Sequence, residues 1–303
     1  MKKYLITGGC GFIGQHLIKK LLKKKCIIDV VDLPTKKNLV RSKYINFFKG
    51  DISNKNIFKK LKRKYDVAFH LAAQTSGRLS EVYSKKDIYS NVVGSLNFCE
   101  WAKSKKPKRV VFTSSMSVYG KIANKAKENE NCKPISIYGL SKLYSEKLFE
   151  RLKKYKIKVT IFRLFNIYGP GQDLKNLYQG MFSIYLAQAL KKNKIEVTGS
   201  LNRYRDFVYI SDTIDALLIN PKKKGNWLMN LGLGKKYKVK DVINIILREL
   251  GNKKIKIIKK NSFSEDTWGS YANNYKLISE GWKPQYDLIT GARRTIYEIE
   301  KKK

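Results

Sequence analysis

A tyrosine and a lysine four residues apart, preceded by a serine, are the side chains in this sequence best suited to moving a proton. Tyr138 and Lys142 share one face of a predicted helix. A free tyrosine has a pKa of about 10, and a neighbouring ammonium favours the phenolate and lowers that value. Tyr138 is therefore predicted to take a proton from an alcohol, while Ser115 hydrogen-bonds the same oxygen. The same spacing at Tyr297 and Lys301 has no accompanying motif, so spacing alone would also describe a surface face.

A glycine-rich turn near the start of the chain predicts the second half of the site. Residues 4–6 form a short apolar run, and Gly8, Gly11 and Gly14 follow it. Gly8 allows the tight turn, Gly11 lets the backbone approach a pyrophosphate, and Gly14 lets the next helix pack on the sheet. The N-terminus of that helix offers unpaired N–H groups and a partial positive charge to phosphates. The pattern predicts a dinucleotide site.

Asp32, at the end of the second predicted strand, points to the identity of that dinucleotide. Its carboxylate is placed to accept hydrogen bonds from the ribose 2′- and 3′-hydroxyls, whereas a 2′-phosphate would meet a like charge. NAD is therefore favoured over NADP. Lys36 and Lys37 lie close by in sequence and weaken that preference.

The elements that must position these residues alternate through the first half of the chain. Strands are predicted at 3–7, 27–32, 44–48, 66–71, 108–114 and 157–164, and helices at 12–24, 54–64, 84–104 and 138–155. This order predicts an α/β fold, a doubly wound parallel sheet of Rossmann type. Ligands bind beyond the carboxyl ends of such strands, where Ser115 and Tyr138 are expected to converge with the nicotinamide.

The pattern loosens after residue 165, which predicts a smaller, discontinuous C-terminal substrate lobe. Helices are expected at 177–191, 238–250 and 287–300, and strands at 195–198 and 254–259. Residues 207–210 are predicted to form a strand that returns to the main sheet. The predicted domains are therefore 1–165 for NAD, joined again by 205–220, and 166–303 for the nucleotide sugar.

The composition of the chain argues against several other classes of protein. The net charge is +40, from 64 Lys and Arg against 24 Asp and Glu, but the lysines are spread over the whole length. With no nucleic-acid module and few arginines, no specific nucleic-acid partner is expected. No apolar run approaches a membrane span, so no membrane insertion is expected. Unpaired spacing of four cysteines and a total of two histidines predict reduced thiols in a cytoplasmic protein without a metal site.

Taken together, the motifs resemble those of the extended short-chain dehydrogenase/reductase superfamily, in particular its NAD-dependent nucleotide-sugar epimerase/dehydratase family. The resemblance runs over nearly the full length, and the matching stretches are 7–14, 50–52, 70–74, 91–97, 114–120, 138–142, 163–171 and 205–210. It implies roles for further residues. Those implied to contact the cofactor are Phe12, Ile13, Asp51, Ile52, Leu71, Ala72, Ala73, Asn91, Tyr138, Lys142 and Phe165. Those implied to contact the substrate are Gln74, Ser115, Asn166 and Arg205.

Two stretches depart from the family pattern. Residues 263–266 read Phe-Ser-Glu-Asp where the family has Arg-x-Gly-Asp, which puts a second phosphate contact in doubt. Arg78 is unexpected, and either touches substrate or is a solvated loop charge. For Arg205 the alternative to phosphate binding is a surface ion pair with Asp206.

The residues after Ser115 reduce the number of reactions that the family resemblance allows. Dehydratases of the family resemble one another in an Asp-Glu pair there, whereas this chain has Met116 and Ser117, so elimination lacks its acid and base. The resemblance then implies an epimerase that oxidises the sugar at C4 and returns the hydride to the opposite face. A keto-reductase is the nearest alternative, a dehydratase of the same family is kept beside it, and a non-catalytic cofactor-sensing or RNA-associated relative is a remote one. A homodimer through helices 84–104 and 138–155 and a place in lipopolysaccharide or capsule biosynthesis are implied by the family.

Overall fold

Strands and helices alternate along the chain in a computed structural model that describes residues 1–33, 40–122, 124–178, 180–192, 194–225, 227–251, 254–261 and 268–301. The strands are β1 (Lys2–Thr7), β2 (Cys26–Asp32), β3 (Ile45–Lys49), β4 (Val67–His70), β5 (Arg109–Ser115), β6 (Lys125–Ala126), β7 (Lys158–Leu164), β8 (Asn166–Tyr168), β9 (Lys194–Thr198), β10 (Tyr204–Arg205), β11 (Phe207–Tyr209), β12 (Leu228–Leu231), β13 (Tyr237–Lys238), β14 (Lys256–Lys260) and β15 (Tyr271–Ala272).

The α-helices are α1 (Phe12–Leu21), α2 (Asn56–Lys59), α3 (Gly77–Val82), α4 (Ser84–Ile88), α5 (Gly94–Lys105), α6 (Ile137–Arg151), α7 (Met181–Lys192), α8 (Ile210–Leu218), α9 (Val239–Glu249), α10 (Tyr275–Ser279) and α11 (Leu288–Glu300). A π-helix (Tyr89–Val93) joins α4 to α5, and 3-10 helices cover Met116–Tyr119 and Leu152–Tyr155. None of the helices in the described ranges is long and apolar enough to span a bilayer.

Seven strands form the central sheet in the order β12-β7-β5-β4-β1-β2-β3, and every neighbouring pair is parallel. The chain winds outward from β1 in one direction to β3 and then, from β4 onward, in the other. The strand order therefore reverses between β1 and β4, which opens a crevice at their carboxyl ends. The predicted doubly wound α/β fold is confirmed.

The strands are apolar because helices cover both faces of the sheet. Neighbouring residues of one strand pack in opposite layers: Ile6 joins the layer that contains α1 residues, and Leu5 joins the layer that contains α5 and α6 residues. Period-two alternation of side-chain direction produces this division. Ser136 caps the N-terminus of α6 by accepting a hydrogen bond from the backbone N–H of Gly139 at 3.1 Å, which fixes where the helix carrying the predicted catalytic pair begins.

The expected return of residues 207–210 to the main sheet is wrong. β11 pairs instead with β8 in a separate two-stranded sheet, and β12 occupies the edge position beside β7. An apolar run specifies burial but not a pairing partner, so the sequence pattern leaves this choice open. Segment 205–220 nonetheless meets the first domain through α8, which packs on α1 and ion-pairs through Asp215 to Lys20 at 2.5 Å. The predicted domain boundaries remain a prediction.

Candidate active site

The turn between β1 and α1 is packed tightly on its inner side and open on its outer side. Gly8 has φ +75°, and a Cβ there would lie 2.6 Å from the backbone nitrogen of Ala72, so a larger residue does not fit. A Cβ on Gly14 would collide with the carbonyl oxygen of Gly8. On Gly11 it would meet only that oxygen, at 3.2 Å. The outer side of Gly11 therefore leaves room for a ligand.

The first turn of α1 presents free backbone donors at the same place. Gly11 is the N-cap and offers no side-chain cap, and the first turn contains no acidic residue. Phe12 and Ile13 lie in this turn, so the predicted contact between their backbone and a pyrophosphate is sterically reasonable. One constraint here was not predicted from the sequence: a Cβ on Gly9 would lie 2.5 Å from Val30 Cγ1, so this glycine also sets how closely the turn lies on β2.

The carboxylate of Asp32 links the glycine-rich turn to the end of β2 by hydrogen bonds. One carboxylate oxygen accepts a hydrogen bond from the backbone N–H of Cys10 at 2.7 Å, and the other from that of Leu33 at 2.7 Å. Each oxygen keeps a lone pair for a ribose hydroxyl. The predicted ribose contact is therefore compatible with its position, while Lys36 and Lys37 lie outside the described residues.

The residues predicted to line the cofactor from the neighbouring segments are Asp51, Ile52, Leu71, Ala72 and Ala73. Ile52 is buried against Gly94, whose Cβ would lie 2.5 Å from its side chain, whereas Asp51 is exposed and accepts a hydrogen bond from a nearby backbone N–H. The segment after β4 is half-buried and runs beside the end of β1. These residues line the crevice side, and their cofactor contacts remain predictions.

Ser115, Tyr138 and Lys142 come together at the carboxyl end of β5. The hydroxyl of Ser115 lies near the phenol of Tyr138 and favours its ionised form, and Ser115 donates to the hydroxyl of Ser117 at 3.1 Å. Lys142 is one turn further along α6, with Nζ 4.4 Å from the centre of the Phe112 ring. All three predicted residues are nearly buried, so a substrate reaching them is shielded from water.

The protonation of this trio differs from the sequence-based expectation. Burial raises the pKa of Tyr138 to about 12, the hydrogen bond from Ser115 opposes the rise, and the charge of Asp87 adds to it. The expected lowering of the Tyr138 pKa, which depended on an oxidised nicotinamide as well as on Lys142, is not produced by the side chains of this chain alone. Burial lowers the pKa of Lys142 to about 8, although the carboxylates of Asp87 and Glu146 counteract that fall. Desolvation is the largest cause of both shifts.

The surroundings of the Lys142 ammonium indicate whether the site can bind a dinucleotide. It is 3% exposed, and in the part of the chain that the structure describes it makes no hydrogen bond. A buried ammonium has three donors that need acceptors, and ribose hydroxyls supply them. With the open side of Gly11 for a pyrophosphate and Asp32 for the second ribose, the residues present fit NAD. No group of three metal-ligating side chains occurs in the described ranges.

Behind the trio lies a buried polar network centred on Asp87. Its Oδ2 accepts hydrogen bonds from Nε2 of Gln74 at 2.8 Å and Nδ2 of Asn91 at 3.1 Å. Asn91 also donates to Oγ of Ser141 at 3.1 Å and accepts from the backbone N–H of Gln74 at 2.9 Å. The amide of Gln74 is thus used within the protein. Its contacts support a role in holding this network and offer no support for the predicted substrate contact.

On the substrate side, Phe165 and Asn166 follow β7 directly. Phe165 is 5% exposed and packs in a small apolar cluster with Val118 and Tyr119 from the loop after Ser115. Asn166 donates from Nδ2 to the backbone carbonyl of Asp206 at 2.9 Å and lies 3.7 Å from the sulfur of Met116. Both residues therefore lie near the candidate site, and their ligand contacts remain predictions.

Arg205 and Asp206 do not form the surface ion pair considered as an alternative, because both are buried. The carboxylate of Asp206 accepts hydrogen bonds from the backbone N–H groups of Leu233, Gly234 and Ala272 at 2.9–3.0 Å. It joins three segments of the second lobe. Arg205 donates to the carbonyl of Tyr204 at 2.8 Å, and burial lowers the pKa of its guanidinium to about 10.

Three further positions complete the substrate side. Arg203, which was not among the predicted residues, is a second buried guanidinium on this lobe, and its charge contributes to lowering the pKa of Arg205. Arg78 lies over the ring of Tyr178, 5.5 Å from its centre, and its substrate contact remains a prediction. Residues 263–266 lie outside the described residues.

A buried ion pair supports the helix of the catalytic pair. Nε and Nη2 of Arg163 donate to the two carboxylate oxygens of Glu146 at 2.9 and 2.8 Å, and Ser114 donates to the same carboxylate at 2.5 Å. Arg163 comes from β7 and Glu146 from α6. Arg163 lies within a motif that was recognised in the sequence, but no role was predicted for either residue.

The chain matches a family model described as the NAD dependent epimerase/dehydratase family over residues 4–232. A relative named "Putative UDP-glucose 4-epimerase" from Methanocaldococcus jannaschii is 35% identical over 300 residues, covering 96% of each chain. Two solved structures have the same fold. The UDP-glucose 4-epimerase of Thermotoga maritima with UDP-glucose superposes with a TM-score of 0.93 at 28% identity, covering 99% of each chain. The UDP-glucose 4-epimerase of Thermus thermophilus in complex with NAD gives 0.89 at 27% identity, covering 98% of this chain and 99% of that chain.

Proposed function

Since this chain belongs to the NAD dependent epimerase/dehydratase family and its cofactor is NAD, we propose that it is a nucleotide-diphosphate-sugar epimerase acting at C4. The observation that carries the proposal is the placement of Ser115, at the carboxyl end of β5, near the buried Tyr138 of α6, with Lys142 one turn further along that helix. A phenol, a hydroxyl and an ammonium at this position suit the oxidation and re-reduction of a sugar alcohol.

In this mechanism NAD supplies the hydride acceptor and, on return, the hydride donor. Tyr138 takes the proton from the sugar C4 hydroxyl and later gives it back to the same oxygen, while Ser115 hydrogen-bonds that oxygen throughout. Because burial raises its pKa to about 12, Tyr138 keeps its own proton until positive charge enters the pocket. Lys142 holds the ribose hydroxyls and adds to that charge.

Elimination is disfavoured by the residues that follow Ser115. Met116 and Ser117 form the start of a 3-10 helix there, and neither carries a titratable acid for general acid-base work. Met116 instead directs its sulfur toward the amide of Asn166. Among the described residues of the site, Tyr138 is the group placed for proton transfer to the sugar oxygen, which suits epimerisation or ketone reduction better than loss of water.

A product assay tests the proposal. We expect the purified protein to interconvert C4 epimers of a UDP-, GDP-, CDP- or dTDP-sugar with no net change in NADH, and NMR of the products to show inversion at C4 alone. UDP-sugars are the first to test, since the relatives named above are UDP-glucose epimerases. Stoichiometric NADH consumption with a keto-sugar nucleotide would identify a reductase instead, and loss of water a dehydratase.

We also propose a homodimer, because one side of the helices around the catalytic helix exposes apolar side chains. These are Ile88 and Tyr89 at the junction of α4 with the π-helix, Leu96 on α5, and Leu140 and Tyr144 on α6, each 42–60% exposed. These helices pack side by side. A contiguous apolar surface of this kind suits a second copy of the chain.

The double variant Leu140→Glu/Tyr144→Glu is expected to be monomeric, because four like charges would face one another across a symmetric interface. Sedimentation velocity should give about twice 35.1 kDa for the wild type and a single 35.1 kDa species for the variant. Tyr275→Glu, at an exposed position on α10, is the control and should remain dimeric. A monomeric wild type would contradict the proposed interface.

The setting we propose is the cytoplasm, where the epimerised sugar would supply lipopolysaccharide or capsule synthesis. None of the four cysteines forms a disulfide, and three of them are buried, as suits a reducing compartment. Partners are then limited to the nucleotide sugar and the second copy of the chain.

A further inference from the structure

Asp87 is a fully buried carboxylate for which the proposed mechanism has no use. It lies at the end of α4, and its Oδ1 has no hydrogen-bond partner in the part of the chain that the structure describes. Its other oxygen accepts the hydrogen bonds from Gln74 and Asn91. A buried carboxylate with one oxygen lacking a hydrogen-bond donor destabilises the folded protein. Its presence therefore suggests a function in the neighbouring active site.

The charged groups around Asp87 are those of the active site. Asn91, which donates to Asp87, also donates to the hydroxyl of Ser141, the residue before Lys142, and α4 packs on α6. At this position the charge of Asp87 acts on Lys142 and on Tyr138. Burial raises the pKa of Asp87 itself, and the hydrogen bonds from Asn91 and Gln74 oppose that rise. Lys142 also interacts electrostatically with two further groups, Glu146 and His70. Glu146 is already paired with Arg163. His70 is neutral at working pH, because burial lowers its pKa to about 3.

We propose that Asp87 is a positioning residue that supplies the buried negative charge needed to keep Lys142 cationic, and that it orients Gln74 and Asn91 beneath the cofactor. Glu146 also acts on Lys142 but is paired with Arg163, so among the described residues Asp87 is the carboxylate near the ammonium that has no ion pair of its own. The arrangement keeps a cation at the cofactor ribose without a direct ion pair that would use up its donors. This inference rests on the proposed roles of Tyr138 and Lys142 and adds a residue to them.

The sign of the effect follows from the geometry. Burial lowers the pKa of Lys142 to about 8, and Asp87 counteracts part of that fall. Removing the negative charge therefore lowers the pKa of Lys142 further, and the ammonium is lost at a lower pH. The affinity for NADH should fall as pH rises through the pKa of Lys142. In Asp87→Asn this fall should occur at a pH lower by about 1 unit, the shift typical of one nearby charge.

The experiment is a fluorescence titration with NADH between about pH 6 and 9.5, a range that spans the ionisation of a lysine lowered by burial and needs no sugar substrate. Asp87→Asn keeps an oxygen for Gln74 and Asn91 while removing the charge, and Asp87→Ser, which leaves room for water, serves if the first variant does not fold. Asp215→Asn makes the same chemical change at an exposed position on α8 and should leave the midpoint where the wild type has it.

A lower midpoint in the Asp87 variants, with unchanged secondary structure, supports the proposal. Weaker NADH binding by the same factor at every pH, or no change at all, would overturn it and leave Asp87 a structural residue. Sugar turnover is measured separately. If the protein shows no epimerase activity but the pH midpoint of NADH binding is lower in the Asp87 variants, the proposed function is wrong and the role proposed for Asp87 is still supported.

Discussion

Tyr138→Phe is expected to reduce sugar turnover by about 10²- to 10⁴-fold, the loss typical when a general acid-base group is removed. The variant keeps the ring and its packing but has no oxygen to exchange a proton with the sugar hydroxyl. In the described part of the site, Tyr138 is the titratable group on which the hydroxyl of Ser115 acts. Binding of the nucleotide sugar and of NADH should change little, because most of their contacts lie elsewhere.

The measurement is kcat for the sugar identified in the product assay, together with calorimetric affinity for that sugar. The chain offers a matched control, since Tyr297 also has a lysine four residues on but lies 57% exposed on α11. Tyr297→Phe should retain full turnover. Wild-type kcat in Tyr138→Phe would remove the mechanism, and a large loss of affinity with normal kcat would reassign Tyr138 to substrate binding.

The elements at the site were predictable from sequence because their signals are local. A turn that needs Gly8 at positive φ and Gly14 under a carbonyl oxygen can be recognised from residue type and spacing. Tyr138 and Lys142 lie on one helix, and the relation between them needs no tertiary information. The main sheet was predictable for the same reason as far as β7, since four of the five strands that precede β7 in it are followed by helical sequence.

What the sequence did not predict depends on long-range contacts. β12 replaces β11 at the sheet edge, although both are short apolar runs, because the choice is made by packing in three dimensions. Asp87 follows two lysines in a predicted helix, and this local pattern does not indicate that its side chain is buried. The raised pKa of Tyr138 likewise results from burial, which a spacing pattern does not reveal.

The predicted helix 54–64 shows a local failure. The structure has only α2, Asn56–Lys59, in that range. Five of residues 59–64 are Lys or Arg, and like charges three and four positions apart oppose a continued helix. Leu61 is still fully buried, so the apolar periodicity reported burial correctly but not helical conformation.

The largest effect on stability is expected from Arg163→Met. The side chains of Arg163 and Glu146 are 4% and 6% exposed, and they are joined by two hydrogen bonds. Removing the guanidinium leaves a buried carboxylate with Ser114 as its remaining donor, at a cost of about 3–5 kcal/mol in the free energy of unfolding. Equilibrium urea unfolding at neutral pH measures this loss. Because α6 carries Tyr138 and Lys142, turnover should fall with the stability of that helix.

Two comparisons separate loss of the charge pair from loss of packing. The deficit relative to wild type should shrink as pH is lowered, because an unpaired buried Glu146 has a pKa raised above its unfolded value and becomes neutral first. The double variant Arg163→Met/Glu146→Leu, which removes both charges, should recover much of the lost free energy. A double variant as unstable as Arg163→Met alone, with no pH dependence in the deficit, would mean that the contact of Arg163 with the Tyr119 ring, rather than its charge, holds α6 to the sheet.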